Sequence, residues 1–298
     1  TWGIKVPGNS KHVIYVWLDA LTNYLSALNY PDINNDLYKK FWPASLHVIG
    51  KDILRFHAIY WPAFLLAANI KPPLRVFSHG WILSGDEKMS KSKGNILNPL
   101  EIIEKYGIDE LRYYLMKEVP HGKDGSISLK NLENCINSDL ANNYGNLCQR
   151  VFSFIKNNCE NKVVKSTNIS DSEKRLISDT NTLTKNLRNL MDDQDLNNYM
   201  KSVIEISFLT NKFVNDEEPW KLKKSNKEKM NNILHLSLEQ IAKITILLHP
   251  IIPTSTQKVL KSLNIDKKLN DLSFLDGKKI LTDEVNLGDL NILFKKIN

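Results

Sequence analysis

Cysteine is scarce in this chain of 298 residues, and long apolar runs are missing. The three cysteines, Cys135, Cys148 and Cys159, form no C-x-x-C pair, so we expect neither a zinc site nor a disulfide framework. Free thiols suit a reducing compartment. No apolar run approaches the roughly 20 residues that span a bilayer, and residues 1–12 lack the basic and then apolar layout of a signal peptide. We therefore expect a cytoplasmic protein with no membrane partner.

The composition is that of an ordinary soluble protein, with 42% hydrophobic and 24% charged residues, and the length suffices for two domains. The net charge is +7, and it is spread along the chain. Residues 1–125 hold 15 basic and 12 acidic side chains, and residues 126–298 hold 25 and 21. This excess is compatible with a polyanionic partner, although alone it is weak support for one.

The first part of the chain alternates between two patterns. Short runs rich in β-branched and aromatic residues predict strands at 12–18, 45–50 and 74–78, and helical spacing predicts helices at 19–28 and 51–68. This alternation favours parallel β-α units, on which ligands bind beyond the carboxyl ends of the strands.

Helical periodicity dominates the rest of the chain. It predicts helices over 98–119, 129–160, 170–191, 195–215, 227–248 and 253–263. Residues 161–171 and 215–226 have loop composition. We place the domain boundary in the segment Pro120–Gly125, which gives one domain at 1–125 and a second at 126–298.

The most specific motif is Lys88-Met89-Ser90-Lys91-Ser92, which follows the glycine-bearing loop Ser84–Glu87. Compact ammonium charges on such a loop suit a triphosphate, since charge placed where negative charge develops stabilises a transition state. A solvated lysine and serine turn is the alternative for a less complete match. The full pentapeptide resembles the signature loop of class I aminoacyl-tRNA synthetases.

Other blocks narrow this resemblance. They are Tyr15–Ala20, Phe41–Ala44, His47–His57, Tyr60–Ala63 and Val76–Trp81. In this order they resemble the bacterial or organellar methionyl-tRNA synthetase family from about residue 12 to the end. The resemblance implies an α/β plus all-α fold, in which the second half of a Rossmann-type catalytic domain precedes an anticodon-binding helical bundle. It also implies a methionine–tRNA ligase that uses ATP with Mg²⁺, methionine and tRNA(Met).

The resemblance assigns a methionine pocket and an ATP site, and a purely structural role is the alternative for each set of residues. The methionine-binding residues are Val16, Trp17, Ala20, Tyr24, Ile53, Phe56, His57 and Trp61. The ATP-binding residues are Gly50, Asp52, His79, Gly80, Ile82, Lys88, Ser90 and Lys91, of which Lys88 and Lys91 are catalytic. Aromatic core packing would also explain the first set. Asp52 would serve equally as a helix N-cap, and His79 as a loop histidine.

A third site is expected on the helical part. Asn146 and Arg150 are spaced i, i+4, so one helix face carries both, and Trp220 follows a proline. Unpaired bases are stacked on aromatic rings and hydrogen-bonded at their edges. The resemblance makes these three residues the anticodon readers, where sequence alone favours a surface pair and a half-buried Trp. Five lysines nearby have the chemistry of phosphate contacts or of a solvated face: Lys221, Lys223, Lys224, Lys227 and Lys229.

Two features of the family are missing from the sequence. We find no H-x-G-H signature, because His47-Val48-Ile49-Gly50 is followed by Lys51, and no insertion with metal-binding cysteines. We therefore expect a C-terminal fragment that is inactive alone, and either monomeric or paired with its N-terminal half. The alternative function is a non-catalytic anticodon-binding module. A nucleotidyltransferase acting without RNA would leave Asn146, Arg150 and Trp220 without a task.

Overall fold

The structure is a computed structural model that describes residues 2–85, 97–265 and 271–297, together with the backbone of Glu87 and Lys88. Two compact units can be separated. The first runs to Trp81 and includes Gly122–Asp124, and the second comprises Ile82–His121 and the chain from Gly125 onward. The predicted domain division between residues 125 and 126 stays a prediction.

The first unit is small and mixed. Its strands are β1 Lys5–Val6, β2 Asn9–Val13, β3 His47–Gly50 and β4 Val76–His79, and its α-helices are α1 Val16–Ser26, α2 Asp36–Phe41 and α3 Trp61–Ala67. A 3₁₀ turn, Lys51–Ile53, and a π-helical turn, Phe56–Tyr60, lead from β3 into α3. β1 and β2 form an antiparallel pair, whereas β3 and β4 are parallel with Gly50 opposite His79. The predicted parallel β-α unit is confirmed by this second pair.

One predicted strand is largely wrong. The run at 12–18 was expected to be extended, but β2 ends at Val13 and α1 begins at Val16. Leu21 and Leu25 lie one helical turn apart, and both are almost fully buried. Their packing with Trp42, Trp61 and Leu65 decides the conformation, because burial of an apolar stripe outweighs the local strand preference of valine and tryptophan.

The second unit is built mostly of helices. Its helices are α4 Pro99–Tyr106, α5 Ile108–Glu118, α6 Leu129–Cys135, a π-helical segment Ile136–Gly145, α7 Asn146–Asn158, α8 Asp171–Thr184, α9 Leu187–Asp192, α10 Leu196–Glu217, α11 Pro219–Leu222, α12 Lys227–Leu248, α13 Pro253–Ser262 and a 3₁₀ turn Ser273–Asp276. Its strands are β5 Ile82–Ser84, β6 Glu87–Lys88, β7 Gly125–Ile127, β8 Lys162–Val164 and β9 Glu284–Asn286. They pair in the order β6-β5-β7 and as β8-β9.

Most helical predictions are confirmed, and α12 has the predicted bounds. The segment 98–119 is two helices, because Gly107 adopts a φ of 111° between them. The predicted loop at 161–171 contains β8, and α11 lies within the loop predicted at 215–226. α12 is buried on nearly all sides in the centre of this unit. No helix of the described residues has both the length and the apolar character needed to cross a membrane.

Candidate active site and nucleic-acid surface

Aromatic rings of α1 and of the turn after β3 form one cluster. Trp17 stacks on Phe56 with ring centroids 4.1 Å apart and an interplanar angle of 8°. The ring of His57 lies edge-on to Trp17 and to Tyr24, at centroid distances of 6.2 and 5.7 Å. Trp61 is buried beneath Tyr24, with centroids 6.2 Å apart. The structure therefore brings together the five aromatic members of the predicted methionine-binding set.

The hydrogen bonds of His57 fix its tautomer. Its Nδ1 lies 3.0 Å from the carbonyl oxygen of Ile53, which can only accept, so Nδ1 carries the proton. Nε2 of the neutral ring then accepts from the Tyr24 hydroxyl at 3.0 Å. Burial raises the pKa of Tyr24, which keeps this hydroxyl a donor. His57 itself is buried in a π-helical turn, a feature often found at functional sites.

The other members of the set lie beside this cluster. Val16 and Ala20 are exposed, and their i, i+4, i+8 spacing with Tyr24 places all three on one face of α1. Ile53 contributes its carbonyl group to His57, and its side chain is half-buried. The cluster thus has a packed aromatic base and an exposed edge along α1.

His47 is a residue of this cluster that sequence reasoning missed. Its buried ring lies 4.3 Å from that of Tyr24, centroid to centroid, and 6.2 Å from that of His57. Burial lowers the pKa of His47, and the neighbouring His57 lowers it further. Its Nδ1 has no hydrogen-bond partner among the described residues, as is also true of Nε1 of Trp61. The available signal was strand alternation, which puts His47 and Ile49 on one buried face of β3.

The turn that follows β3 holds the predicted ribose contacts. A Cβ at Gly50 would lie 2.7 Å from Oδ1 of Asp52, so glycine is what lets this carboxylate fold back over the turn. The same Cβ position lies 3.8 Å from Cε1 of His79, which ends the neighbouring strand. The His79 Nδ1 donates to the carbonyl of Gly80 at 2.9 Å, which leaves Nε2 of the neutral ring as an acceptor. Gly50, Asp52, His79 and Gly80 are therefore neighbours at one edge of the sheet.

An ion pair that the sequence did not suggest stabilises this edge of the β3–β4 sheet. Nζ of Lys51 lies 2.6 Å from the Asp124 carboxylate and 4.0 Å from the centroid of the Trp81 ring. Asp124 also accepts the backbone N–H of Trp81 at 2.8 Å. The hydrogen bond from Lys51, and then that from Trp81, lowers the pKa of Asp124. A Cβ at Gly80 would lie 2.1 Å from the backbone of Lys123, so only glycine fits against this segment.

The remaining predicted ATP residues belong to the second unit or lie outside the description. Ile82 is 39% exposed and begins β5. The backbone of Lys88 pairs with Leu83 in an antiparallel ladder. Ser90 and Lys91 lie outside the described residues.

The predicted anticodon residues converge on one surface of the helical unit. Nη2 of Arg150 donates to Oδ1 of Asn215 at 2.7 Å, and its guanidinium carbon lies 5.7 Å from the centroid of the Trp220 ring. Trp220 is 42% exposed on α11, just after Glu218 turns the chain through a left-handed conformation. Asn146 lies one turn before Arg150 on α7 and is half-buried. The surface formed by Asn146, Arg150 and Trp220 thus offers an exposed ring beside an amide and a guanidinium.

Three of the five neighbouring lysines are engaged. Lys221 and Lys229 pair with Glu218 and Glu217 at 2.7 and 2.8 Å. Lys223 donates to Asn158 at 2.9 Å. Lys224 and Lys227 are exposed, and neither forms a salt bridge within the part of the chain that the structure describes. These two are the better candidates for contacts with an added polyanion.

Comparison with known proteins gives the family. Residues 1–152 match a family model described as "tRNA synthetases class I (M)", which places the chain among the class I synthetases. Residues 163–298 match one described as "Anticodon binding domain of methionyl tRNA ligase". The chain therefore belongs to the methionyl family of class I tRNA synthetases. The predicted family and fold class are confirmed.

Individual relatives agree with this assignment. The methionine–tRNA ligase of Brucella suis biovar 1 is 45% identical over 264 residues, covering 89% of this chain and 51% of that protein. That of Rickettsia felis is 46% identical, covering 94% and 56%. A structure described as Mycobacterium tuberculosis methionyl-tRNA synthetase in complex with methionyl-adenylate superposes with a TM-score of 0.91 at 37% identity. It is matched over 98% of this chain and 58% of its own, so the chain spans little more than half of these relatives.

Proposed function

We propose that the protein carrying this chain is a methionine–tRNA ligase. In the first step a methionine carboxylate oxygen attacks the α-phosphorus of ATP and pyrophosphate leaves. In the second step a terminal hydroxyl of tRNA(Met) attacks the acyl carbon and AMP leaves. The observation that carries the proposal is the aromatic cluster with its oriented pair, Tyr24 and His57. The M. tuberculosis relative, described as a complex with methionyl-adenylate, supports it.

The aromatic cluster suits a thioether side chain. Methionine is flexible and polarizable, and each sulfur–aromatic contact is favourable by roughly 0.3–1.5 kcal/mol. The stacked pair Trp17 and Phe56 supplies a flat apolar wall, and Tyr24 and His57 supply a polar point of fixed orientation. The predicted members at the exposed edge, Val16 and Ala20, would close the pocket from α1.

ATP, as its Mg²⁺ complex, would bind at the sheet edge. The Asp52 carboxylate has the chemistry to accept both ribose hydroxyls, and Gly50 allows the close approach this requires. His79, Gly80 and Ile82 are proposed for the adenine side. The lysine loop, with Lys88, Ser90 and Lys91, is proposed to stabilise charge on the phosphates as the bond to pyrophosphate breaks.

The test is methionine-dependent exchange of pyrophosphate into ATP. It is made with a protein of the relatives' full length that carries this sequence, called below the full-length form. We expect exchange with methionine and little with leucine. Exchange independent of the amino acid, or none while the protein remains folded, would overturn the proposal.

Anticodon binding without catalysis is a second candidate, and the geometry of Arg150 and Trp220 favours it. This surface is formed wholly by residues of the second unit. Binding of tRNA(Met) by this chain, combined with inactivity of the full-length form, would select this function. A cytoplasmic location stays a prediction of the sequence.

A further inference from the structure

The helical unit contains a polar cavity away from the Arg150 and Trp220 surface. Its volume is about 190 Å³, and it lies between α8, α12 and the segment Gly277–Lys279. α12 contributes an amide, Gln240, and an ammonium, Lys243, to the lining. These groups have no role in the proposed reaction.

The Gln240 amide is fully buried and unsatisfied. The side chain has no exposed surface, and neither Nε2 nor Oε1 has a hydrogen-bond partner among the described residues. A buried polar group without a partner is unfavourable, so most such groups in proteins are paired. Gln240 therefore places an unpaired donor and an unpaired acceptor in the wall of the cavity.

The Lys243 side chain is almost as deeply buried as that of Gln240, and its ammonium group has few polar partners. It is 6% exposed, and its one hydrogen bond to a described residue is a long one of 3.4 Å to Oδ1 of Asn181. The two oxygens of the nearby Glu239 accept the backbone N–H groups of Ile280 and Leu281 at 2.8 and 3.0 Å, and no salt bridge joins Glu239 to Lys243 among the described residues. Burial lowers the pKa of Lys243, and Glu239 offsets only part of this effect.

More lysines than carboxylates line the cavity. Lys165, Lys278 and Lys279 line it, and contact with Lys279 lowers the pKa of Lys165. The second lining carboxylate, Glu173, is engaged by the backbone N–H and hydroxyl of Ser170 at 2.9 and 2.7 Å. The lining therefore carries a net positive formal charge, from four lysines and two carboxylates, although Lys279 also pairs with Asp283 at 3.4 Å.

We propose that this cavity binds a small anion bearing a carboxylate or phosphate group, which pairs with Lys243 while a second polar atom bonds the Gln240 amide. A phosphate of the tRNA backbone has the same chemistry. However, Lys243 is nearly inaccessible from the surface, and RNA phosphates contact exposed side chains. A free small molecule is therefore the proposed ligand.

The test measures binding of inorganic phosphate and of malate at constant ionic strength, by calorimetry and by the shift in melting temperature. A ligand that binds only the folded state raises the melting temperature in a saturable way. We expect this for at least one of the two anions. Lys243→Met keeps an unbranched side chain that is one heavy atom shorter and removes its charge, and we expect it to weaken binding at least about tenfold. Gln240→Leu should weaken binding less.

Lys201→Ala is the matched control, since Lys201 is exposed and lies outside the cavity. It should leave anion binding unchanged. No saturable binding of either anion, or equal loss with Lys201→Ala, would overturn the proposal. Weaker tRNA binding by Lys243→Met, with competition between tRNA and the anions, would show an RNA phosphate site and also overturn it. None of these measurements depends on ligase activity. Circular dichroism checks that each variant is folded.

Discussion

At the scale of single residues, the position of one proton organises the aromatic cluster. The Ile53 carbonyl holds the proton of His57 on Nδ1, and this leaves Nε2 free to accept from Tyr24. The Tyr24 hydroxyl is then committed as a donor, so its oxygen lone pairs are what it can offer to a ligand. A backbone carbonyl four residues away thus sets the polarity of the proposed methionine pocket.

Tyr24→Phe should weaken methionine binding in the full-length form. The ring stays, but His57 Nε2 loses its donor, and a hydrogen bond of this kind contributes about 0.5–1.5 kcal/mol. We expect KM for methionine in pyrophosphate exchange to rise about threefold to tenfold with kcat nearly unchanged. Tyr38→Phe, outside the predicted set, is the control. A fall in kcat without a change in KM would argue against a binding role.

Lys91→Ala should act on the chemical step. A charge used mainly in the transition state lowers kcat more than it raises KM, and loss of one such donor commonly costs about 3–4 kcal/mol. We expect adenylate formation in the full-length form to fall by two orders of magnitude or more. Methionine binding, measured by equilibrium dialysis, should change little. Weaker methionine binding with intact kcat would give Lys91 another role.

His47 should make stability depend on pH. Because burial holds its pKa below that of the unfolded chain, about 6.5, the unfolded state takes up a proton first as the pH falls. The contribution of neutral His47 to the free energy of unfolding is therefore fully present above about pH 6.5 and is lost progressively below it. The pKa of His235 is also lowered, so the informative quantity is the difference between variants. The free energy of unfolding in urea should fall less between pH 7.5 and pH 5.5 in His47→Gln than in the original protein. An equal fall in the two proteins would contradict this prediction.

At the scale of elements, chain ends and turns position the proposed sites. The parallel register of β3 and β4 brings Gly50 and His79 to one edge. In the helical unit, the left-handed conformation of Glu218 ends α10 and directs α11 so that Trp220 reaches Arg150 on α7. Neither contact arises within a single element, which is why each depends on how neighbouring elements meet.

Trp220→Ala tests the second of these contacts. Base stacking on an aromatic ring contributes roughly 1–3 kcal/mol, so tRNA(Met) should bind about five-fold to a hundred-fold more weakly. Adenylate formation should be unchanged in the full-length form. The measurement compares tRNA(Met) with a copy whose anticodon is altered, using filter binding. An equal loss of affinity for both RNAs would make Trp220 a packing residue or a nonspecific contact. The variants Asn146→Ala and Arg150→Ala extend the same comparison. Lys224→Ala should instead weaken both RNAs alike and reduce the salt dependence.

At the scale of the whole molecule, the larger core belongs to the helical unit. α12 is surrounded by α7, α10, α11 and α13 and carries apolar side chains on nearly every face. A helix apolar all round is stable only when it is enclosed. Buried polar residues on this enclosed helix, such as Gln240 and Lys243, are therefore exceptions to its apolar character.

Leu238→Ala should destabilise the protein strongly. Leu238 has no exposed surface, and leucine truncation in a packed core costs about 2–5 kcal/mol through lost burial and the cavity left behind. Leu100→Ala is the matched control, because Leu100 is 72% exposed in the same unit, and it should change stability by less than about 0.5 kcal/mol. The measurement is the free energy of unfolding of each variant in urea. Similar values for the two variants would mean that α12 is not the centre of the core.

The sequence by itself determined the family and most of the secondary structure. The lysine loop and its flanking blocks indicated the family, and periodicity predicted α12 with its observed bounds. The i, i+4 pair Asn146 and Arg150 was also readable, because helical spacing alone puts both on one face. Such features are local: the pattern of burial along a few turns is written in the order of the residues.

Tertiary structure alone decided which distant residues meet. The contact of His47 with Tyr24, the pairing of Lys51 with Asp124 and the enclosure of Gln240 each join residues or elements far apart in sequence. It also decided that 16–18 is helical, because packing of Leu21 and Leu25 outweighs a weak local preference. No local pattern specifies these pairings, since they depend on the path of the intervening chain and on which packing arrangement fills the interior best.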